Sequence, residues 1–244
     1  MKKYFFLFAL VFSCTSGSLE NQEKLCIEML NIGQGLAFLI KGKNCNFLYD
    51  TGTPSSGIDT MLQNRGIKTL CTVFLSHRHN DHAGGMPVLE EMEKNGKIRI
   101  NRVLYGDEMS RGDTIADFLP WTVRVLFEEG AMRISDSQNS FLFMADLEAQ
   151  HEKSILELEP LLSATALQVG HHGSRTSSSW EFLAQIQPKI ALISAGRNNS
   201  YGHPHPETLA KLRIVLPDTT QIFRTDLEGS VVVEWVYKAG IWKR

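Results

Sequence analysis

The sequence lacks a strong net charge of either sign. Its 25 lysine and arginine residues nearly balance its 27 aspartate and glutamate residues, which gives a formal net charge of -2 and an isoelectric point near 6.4. Proteins that hold nucleic acid through a broad basic surface depend on clustered lysine and arginine. The composition therefore argues against such a surface, although bound metal ions would add positive charge that this count omits.

The sequence also lacks a long apolar run near its N-terminus. The run from Tyr4 to Phe12 is too short to span a bilayer comfortably. Two lysines precede it and small polar residues follow it, which is the three-part pattern of a secretory signal. We therefore expect residues 1–18 to be a signal segment and residues 19–244 to form one functional domain.

The end of this segment allows two kinds of processing. The run Val11-Phe12-Ser13-Cys14 resembles a bacterial lipoprotein cleavage box, in which Cys14 becomes a lipidated first residue. The alternative is simple cleavage. In either case we expect the mature protein to be extracytoplasmic, that is periplasmic, secreted or attached to a membrane through lipidated Cys14. No protein partner is evident.

Cysteine is scarce, with four residues in the chain. Without Cys14 an odd number remains, and Cys26, Cys45 and Cys71 each lie in an apolar, strand-like run. Free cysteine packs as a small hydrophobic residue, so we expect buried thiols in preference to a disulfide. The chain has no CxxC pair, so the sequence gives no indication of a second metal site built on cysteine.

A dense group of metal-ligand side chains is present. His77, His79, Asp81 and His82 lie within six residues, directly after an apolar run at 71–75 that predicts a buried strand. Imidazole and carboxylate together suit zinc, manganese or iron. A polar loop that merely happens to be rich in histidine is the alternative, and the density of ligands disfavours it. The cluster therefore predicts a metal site.

Further candidate ligands follow other predicted strands. Asp50 ends the strand predicted at 45–49, where it either faces the metal loop or caps a turn. Asp146 follows the apolar run at 140–145, and it either caps the next helix or is shared by two metals. The adjacent pair His171-His172 lies between glycines that permit close approach to a ligand.

A set of polar residues after the histidine pair predicts substrate contacts. Ser174 begins a hydroxyl-rich run that serves as an N-cap or as an anion cradle at a helix start, and both roles can hold at once. Arg197 and Asn198 lie in a polar loop in which His203 and His205 each precede a proline. This loop is either a rigid connection or a substrate rim.

The order of predicted elements indicates an α/β fold. Two strand-rich halves are each followed by helices, which suggests two sheets packed face to face with helices outside. Strand-end loops from both halves would then meet at one edge. Residues 94–135 are the least informative part, and we assign no chemistry to them.

These residues resemble the metallo-β-lactamase superfamily, whose HxHxDH signature matches residues 77–82. Asp50, Asp146 and the His171-His172 pair occur in the order that this family uses. More narrowly, the chain resembles the hydrolase domain of the ComEC family of competence proteins over residues 25–236. The matching segments are Asn31-Ile32-Gly33-Gln34-Gly35, Asp50-Thr51-Gly52, Val169-Gly170-His171-His172-Gly173-Ser174, the loop from Gly196 to Glu207, and Arg224-Thr225-Asp226.

The resemblance implies a four-layer αββα sandwich that uses two divalent metal ions, zinc or manganese, and it makes residues 19–244 a hydrolase domain. It implies one metal on His77, His79 and Asp146. It implies a second metal on Asp81, His82, Asp146 and His172, with a water or hydroxide at the open positions.

The same resemblance implies roles for the remaining site residues. By similarity to phosphorylcholine esterases, His172 is the ligand and His171 contacts the substrate phosphate or protonates the leaving group. Asp81 joins His171 as a catalytic candidate, and Asp50 orients a ligand histidine. Ser174, Arg197, Asn198, His203 and His205 remain candidates for substrate binding.

The sequence departs from the family pattern in three respects. It has no histidine between Ala83 and Gln150, where many members have a further ligand. Ala145 replaces a glycine that often precedes Asp146. The transmembrane part of the ComEC family is missing, so we expect no role in DNA transport.

We expect an exported metal-dependent hydrolase, and the favoured reaction is phosphodiester or nuclease chemistry on a small phosphoester or DNA. Two alternatives remain. One is a hydrolase of a small or cell-envelope ester, such as a phosphorylcholine-type substrate, a lactone or, least favoured, a β-lactam. The other is a non-catalytic metal-binding protein.

Overall fold

The computed structural model describes residues 23–115 and 121–237. Within them, fifteen strands and seven α-helices alternate along the chain. The strands are β1 (Glu23–Met29), β2 (Phe38–Lys41), β3 (Asn46–Tyr49), β4 (Thr69–Leu70), β5 (Thr72–Leu75), β6 (Arg99–Ile100), β7 (Val103–Tyr105), β8 (Thr114–Ile115), β9 (Thr122–Phe127), β10 (Ala131–Ser135), β11 (Ser140–Phe143), β12 (Ala166–Gln168), β13 (Ile190–Ile193), β14 (Gln221–Arg224) and β15 (Val231–Tyr237). The helices are α1 (Ile58–Asn64), α2 (Asn80–Ala83), α3 (Met86–Lys94), α4 (Ala149–Leu158), α5 (Trp180–Ile186), α6 (Pro206–Val215) and α7 (Thr225–Glu228).

Two large sheets form the centre of the fold. One has the strand order β15-β1-β2-β3-β5-β7, and the other has the order β14-β13-β12-β11-β10-β9-β8. The last strand, β15, pairs antiparallel with β1 and so belongs to the first sheet. Two short strands, β4 and β6, pair separately.

The core lies between the two sheets because their inward-facing side chains are large and apolar. Phe38 of the first sheet meets Phe141 and Phe143 of the second at ring-centroid distances of 5.6 and 5.1 Å, edge to face. Burial of one such side chain stabilises the fold by about 1.5–3 kcal/mol. The outward face of each sheet also carries an apolar cluster, which needs a further layer to cover it.

Helices supply the outer layers. Leu62 of α1 and Leu89 of α3 are buried in the cluster on the first sheet. Ile155 of α4, Phe182 of α5 and Leu212 of α6 are buried in the cluster on the second. The four layers confirm the predicted αββα sandwich.

The strand directions bring the candidate residues to one edge. Strands β3, β5 and β7 run parallel, as do β11, β12, β13 and β14. Parallel strands present their carboxyl ends at the same edge, and in α/β sheets ligands bind outside these ends. The loops after β3, β5, β11, β12 and β13 carry the candidate site.

The expectation of three buried thiols was wrong. Cys45 and Cys71 form a disulfide, with their Cα atoms 5.6 Å apart, whereas Cys26 is a buried free thiol. Cys45 precedes β3 and Cys71 precedes β5, and these strands are parallel neighbours. Two residues 26 positions apart therefore meet at a separation typical of a disulfide.

The signal segment at 1–18, including Cys14, lies outside the described residues. Among the residues that are described, no helix combines the length and the apolar character needed to cross a membrane.

Candidate metal centre

Asp50 anchors the first half of the site. Its carboxylate is fully buried and accepts hydrogen bonds from Ser76 N at 2.7 Å and Ser76 Oγ at 2.8 Å, and it lies 2.7 Å from His82 Nδ1. A carboxylate beside Nδ1 keeps a proton on that nitrogen. His82 Nε2 is then the nitrogen available to a metal, which is how a neighbouring carboxylate orients a ligand histidine.

The turn between β9 and β10 approaches Ser76 very closely, and Gly130 makes this approach possible. A Cβ on Gly130 would lie 2.3 Å from Ser76 Cβ, and the φ of Gly130 is +91°, in the region that favours glycine. Tyr49 Oη donates to Gly130 O at 2.7 Å, which ties the two sheets together beside the site.

His172 belongs to the second half of the site. It is buried, and its Nδ1 donates to the Ser194 carbonyl at 3.0 Å. Its Nε2 lies 3.4 Å from Asp81 Oδ2 and 3.5 Å from Asp146 Oδ1. The Ser194 carbonyl thus has the same role for His172 that Asp50 has for His82.

Asp146 is held between the two halves by a neighbouring glutamine. Gln168 Oε1 accepts from Met144 N at 2.7 Å and Ala145 N at 2.8 Å, while its amide nitrogen donates to Val169 O at 2.8 Å. Ala145 has a φ of +47°, in the left-handed region that favours glycine. This turn directs Asp146 Oδ1 to within 3.1 Å of His82 Nε2.

Two groups of ligand atoms result. Asp81, His82, Asp146 and His172 form one group, and His77, His79 and Asp146 form the other, with the atoms of each group within 4.8 Å of one another. Asp146 is common to both. The structure therefore brings together all six residues that the sequence analysis named as metal ligands.

Three buried atoms of this centre lack a partner that the fold could provide. His82 Nε2, Asp146 Oδ1 and His172 Nε2 have no hydrogen bond among the described residues, and the short contact between His82 and Asp146 lacks hydrogen-bond alignment. Buried polar atoms without partners are rare because each costs free energy. One divalent cation would satisfy all three, and imidazole with carboxylate is a donor set that suits zinc or manganese.

The group at His77 and His79 is more open to solvent. His79 is exposed and His77 is half-buried, and His77 Nε2 lies 3.0 Å from His79 Nδ1. His77 Nδ1 contacts Ser76 Oγ at 3.0 Å. Two ring nitrogens that face each other this closely are placed to share one cation.

The electrostatic environment favours a neutral imidazole at His77 and a charged ring at His82. Burial and the positive charge of His82 lower the pKa of His77 to about 4. Burial also disfavours a charged His82, but the carboxylates of Asp50 and Asp146 outweigh it and raise the pKa of His82 to about 10. The pKa of Asp146 is well below its usual range despite burial, because His82 and His172 stabilise its charge.

Two clefts open beside the centre. A cavity of about 310 Å³ is lined in part by Asp81, His171, Tyr201 and His203. A second, of about 440 Å³, has Arg78, Asp107, Glu129 and Glu148 in its wall. His171 and Asp146 line both clefts, so His171 lies at the junction between them.

The predicted substrate residues are dispersed around the first cleft. His203 lines it and His205 contacts the His203 ring at a centroid distance of 4.8 Å. Arg197 is exposed, with its Nε donating to Asp226 O at 3.2 Å, and Asn198 is exposed beside it. Ser174 is buried.

Ser174 and the hydroxyl run after it have a mainly structural arrangement. Ser174 Oγ lies 3.0 Å from Thr176 Oγ1, and Ser179 Oγ caps α5 by accepting from Phe182 N. The buried carboxylate of Glu152 accepts from the backbone amides of residues 178 and 179 at 2.6 and 2.7 Å. The N-cap interpretation is confirmed, and Glu152 already takes the place of an anion at this helix start.

Several residues around the centre were not predicted from the sequence. Gln34 and Tyr201 line the first cleft, and Gln34 stands between two glycines, which was a usable signal. Residues 94–135, to which no chemistry was assigned, supply the partners of Arg78: its guanidinium pairs with Asp107 at 2.8 Å and Glu108 at 2.6 Å. It also lies 4.3 Å from the centroid of the Tyr105 ring.

Comparisons with known proteins agree with this architecture. The family model of the metallo-beta-lactamase superfamily matches residues 30–133. ComE operon protein 3 of Bacillus subtilis is 27% identical over 88% of this chain and 33% of its own length. Recombination protein 2 of Haemophilus influenzae is 33% identical over 76% of this chain and 26% of its own length.

The chain thus spans about a third or less of the curated relatives it matches. Among solved structures, the metallo-beta-lactamase fold protein YhfI from Bacillus subtilis superposes with a TM-score of 0.64 at 14% identity, covering 87% of this chain and all of YhfI. At that identity the likeness concerns the fold alone.

Proposed function

Because the chain carries a metallo-β-lactamase domain and is homologous to ComE operon protein 3 and Recombination protein 2 over much of its length, we propose that it is a metal-dependent phosphodiesterase. The superfamily is in general hydrolytic and metal-dependent. The observation that carries the proposal is the position of Asp146 between two groups of ligand atoms. Three buried atoms of these groups have no hydrogen-bond partner within residues 23–115 and 121–237. Such a centre is typical of a hydrolase with two divalent ions.

The proposed roles follow from the contacts of each residue. If bound to these two groups, divalent ions would lower the pKa of a water molecule and neutralise charge on a phosphoryl group, which suits cleavage of phosphate esters near neutral pH. Asp50 and the Ser194 carbonyl keep the ligand nitrogens of His82 and His172 turned toward the centre. Both groups do so by engaging Nδ1, which leaves Nε2 for the metal.

His171 is the proposed residue for proton transfer to the leaving group. It lines both clefts, its Nε2 lies 3.7 Å from Asp146 Oδ2, and its Nδ1 lies 3.5 Å from Glu148 Oε1. A leaving group in either cleft is therefore within reach of the ring. A general acid must carry a proton on a ring nitrogen that faces the leaving group. Asp81 lines the first cleft and is proposed to be a metal ligand next to the bound substrate.

The charges around the clefts support a second candidate, a small or cell-envelope ester as substrate. Asp107, Glu129 and Glu148 contribute carboxylates to the wall of the larger cleft, where Arg78 is the basic residue and is already paired. A nucleic acid strand would meet repulsion on that side, because phosphate backbones bind to lysine and arginine. A small ester would avoid it by occupying the cleft lined by His203.

We also propose that the protein works outside the cytoplasm. The N-terminal pattern of charge, apolar run and small residues supports export. The Cys45–Cys71 disulfide supports it independently, since disulfides persist in oxidising compartments and are rare in the cytosol. Fractionation of cells and mass analysis of the mature N-terminus would test this, and a cytosolic, unprocessed protein would refute it.

An activity panel tests the function. The protein loaded with manganese or zinc is incubated with bis(p-nitrophenyl) phosphate, single-stranded DNA, a phosphorylcholine ester and nitrocefin. We expect cleavage of the phosphodiester model substrate, and the ratio of DNA to phosphorylcholine turnover separates the two candidates. Metal binding without release of any product would refute the catalytic proposal and favour a metal-stabilised binding protein.

A further inference from the structure

Gln34 connects the two halves of the fold at the rim of the first cleft. It lies in the turn between β1 and β2, and its Oε1 accepts from Gly196 N, after β13, at 3.0 Å. Its Nε2 faces His203 Nδ1 at 3.4 Å. A Cβ on Gly196 would lie 2.6 Å from Gln34 N, so only a glycine lets the two loops approach this closely.

The chemistry of these contacts assigns the orientation of the glutamine amide. A backbone N–H can only donate, so the oxygen of Gln34 must face Gly196 and its nitrogen must face His203. An amide nitrogen only donates, so His203 Nδ1 must accept. The neutral His203 ring then carries its proton on Nε2.

The His203 ring is also held in place by its other neighbours. Asn199 receives a hydrogen bond from His203 N at 3.0 Å and donates to His203 O at 2.6 Å. The rings of Tyr201 and His172 lie nearly parallel to it, with interplanar angles of 22° and 20°. Among the described residues none accepts from His203 Nε2, although the ring lines the cleft.

We propose that Gln34 is a positioning residue that presents His203 Nε2–H to an oxygen atom of the substrate in the cleft. This inference rests on the proposed function, because the oxygen would belong to the phosphoryl group of a phosphodiester. A fixed donor at this place favours substrates with an anionic or carbonyl oxygen.

The Gln34→Glu substitution tests the hydrogen bond that Gln34 Nε2 donates to His203 Nδ1. The glutamate retains an acceptor for Gly196 N but cannot donate to His203, so the ring should take the opposite tautomer, with its proton on Nδ1. We expect the loss of one substrate hydrogen bond to lower kcat/KM for bis(p-nitrophenyl) phosphate by about tenfold, mainly through KM. Gln138→Glu adds the same charge in the exposed turn before β11, and we expect wild-type kinetics from it.

A double-mutant cycle with His203→Gln separates this role from simple charge repulsion. If Gln34 acts through His203, the effect of Gln34→Glu disappears in the His203→Gln background. Repulsion of the substrate by a new carboxylate would persist there, and that result would overturn the inference.

Nitrogen NMR of the imidazole rings in the zinc-loaded protein provides a readout that does not need turnover. We expect the wild type to have the Nε2–H tautomer at His203 and Gln34→Glu to have the Nδ1–H tautomer. An unchanged tautomer overturns the inference. Absence of turnover in the wild type refutes the proposed function, whereas the NMR result still decides whether Gln34 controls His203.

Discussion

Replacement of Asp50 by asparagine should weaken metal binding without removing a metal ligand. In the wild type the Asp50 carboxylate accepts from Ser76 N and Ser76 Oγ and lies beside His82 Nδ1. In Asp50→Asn one oxygen becomes an NH₂ group, which donates to His82 Nδ1. The proton of the neutral ring then moves to Nε2, the nitrogen that the metal requires.

The expected loss is about 10- to 100-fold in metal affinity, which corresponds to about 1.4–2.8 kcal/mol. This agrees with the value of one hydrogen bond to a charged group, about 1.5–3 kcal/mol, because one such contact is lost at His82. The contact to Ser76 N can be retained by the asparagine oxygen. The protein should therefore stay folded while its metal affinity falls.

Competition against a chromophoric chelator measures this affinity for zinc and manganese, and circular dichroism checks the fold. Asp218→Asn is the matched control, since it removes the same charge from an exposed loop before β14. His82→Ala should abolish the site formed with Asp81, Asp146 and His172, and Asp50→Asn should add no further loss in that background. Wild-type affinity in folded Asp50→Asn would refute the orienting role of Asp50.

Three further predictions concern the centre and the disulfide. Asp146→Ala is expected to abolish turnover, because it removes the ligand common to both groups, and retained turnover with normal metal content would contradict the bridging role. Metal loading near neutral pH should release a proton, since His82 has a pKa raised to about 10 by Asp50 and Asp146 against the effect of burial and must lose its Nε2 proton to bind. Affinity should therefore rise with pH up to that pKa, by at most about tenfold per unit. Calorimetry in two buffers of different ionisation enthalpy would detect the proton, and equal observed heats in the two buffers would contradict its release. Joint replacement of Cys45 and Cys71 by serine should lower the unfolding free energy by about 3.5 kcal/mol, which is the chain-entropy value for a separation of 26 residues. The value of kcat should not change. Urea unfolding measures the stability, and an unaltered urea midpoint would contradict the prediction.

Local sequence patterns were sufficient to predict most elements of the fold. The strands before the metal loop and before Asp146 were predicted from short apolar runs at 71–75 and 140–145, and β5 and β11 lie within these ranges. The sandwich was predicted because both halves are rich in strands and each is followed by helices. These properties depend on residues close together in the chain.

Residues whose partners are distant in sequence could not be predicted in the same way. The disulfide depends on the parallel pairing of β3 with β5, which places Cys45 beside Cys71. The pairing of Arg78 with Asp107 depends on β7 lying next to β5. Neither contact has a signature in the local sequence.

The sequence by itself determined which residue types are available for metal chemistry, because imidazole and carboxylate are donors that suit zinc or manganese. Only the tertiary structure decided which nitrogen of each ring is free. His82 and His172 both engage Nδ1, one through Asp50 and the other through the Ser194 carbonyl, 22 residues further along the chain from His172. The ligand identity is therefore local, whereas ligand orientation depends on hydrogen bonds that exist only after the two sheets have packed.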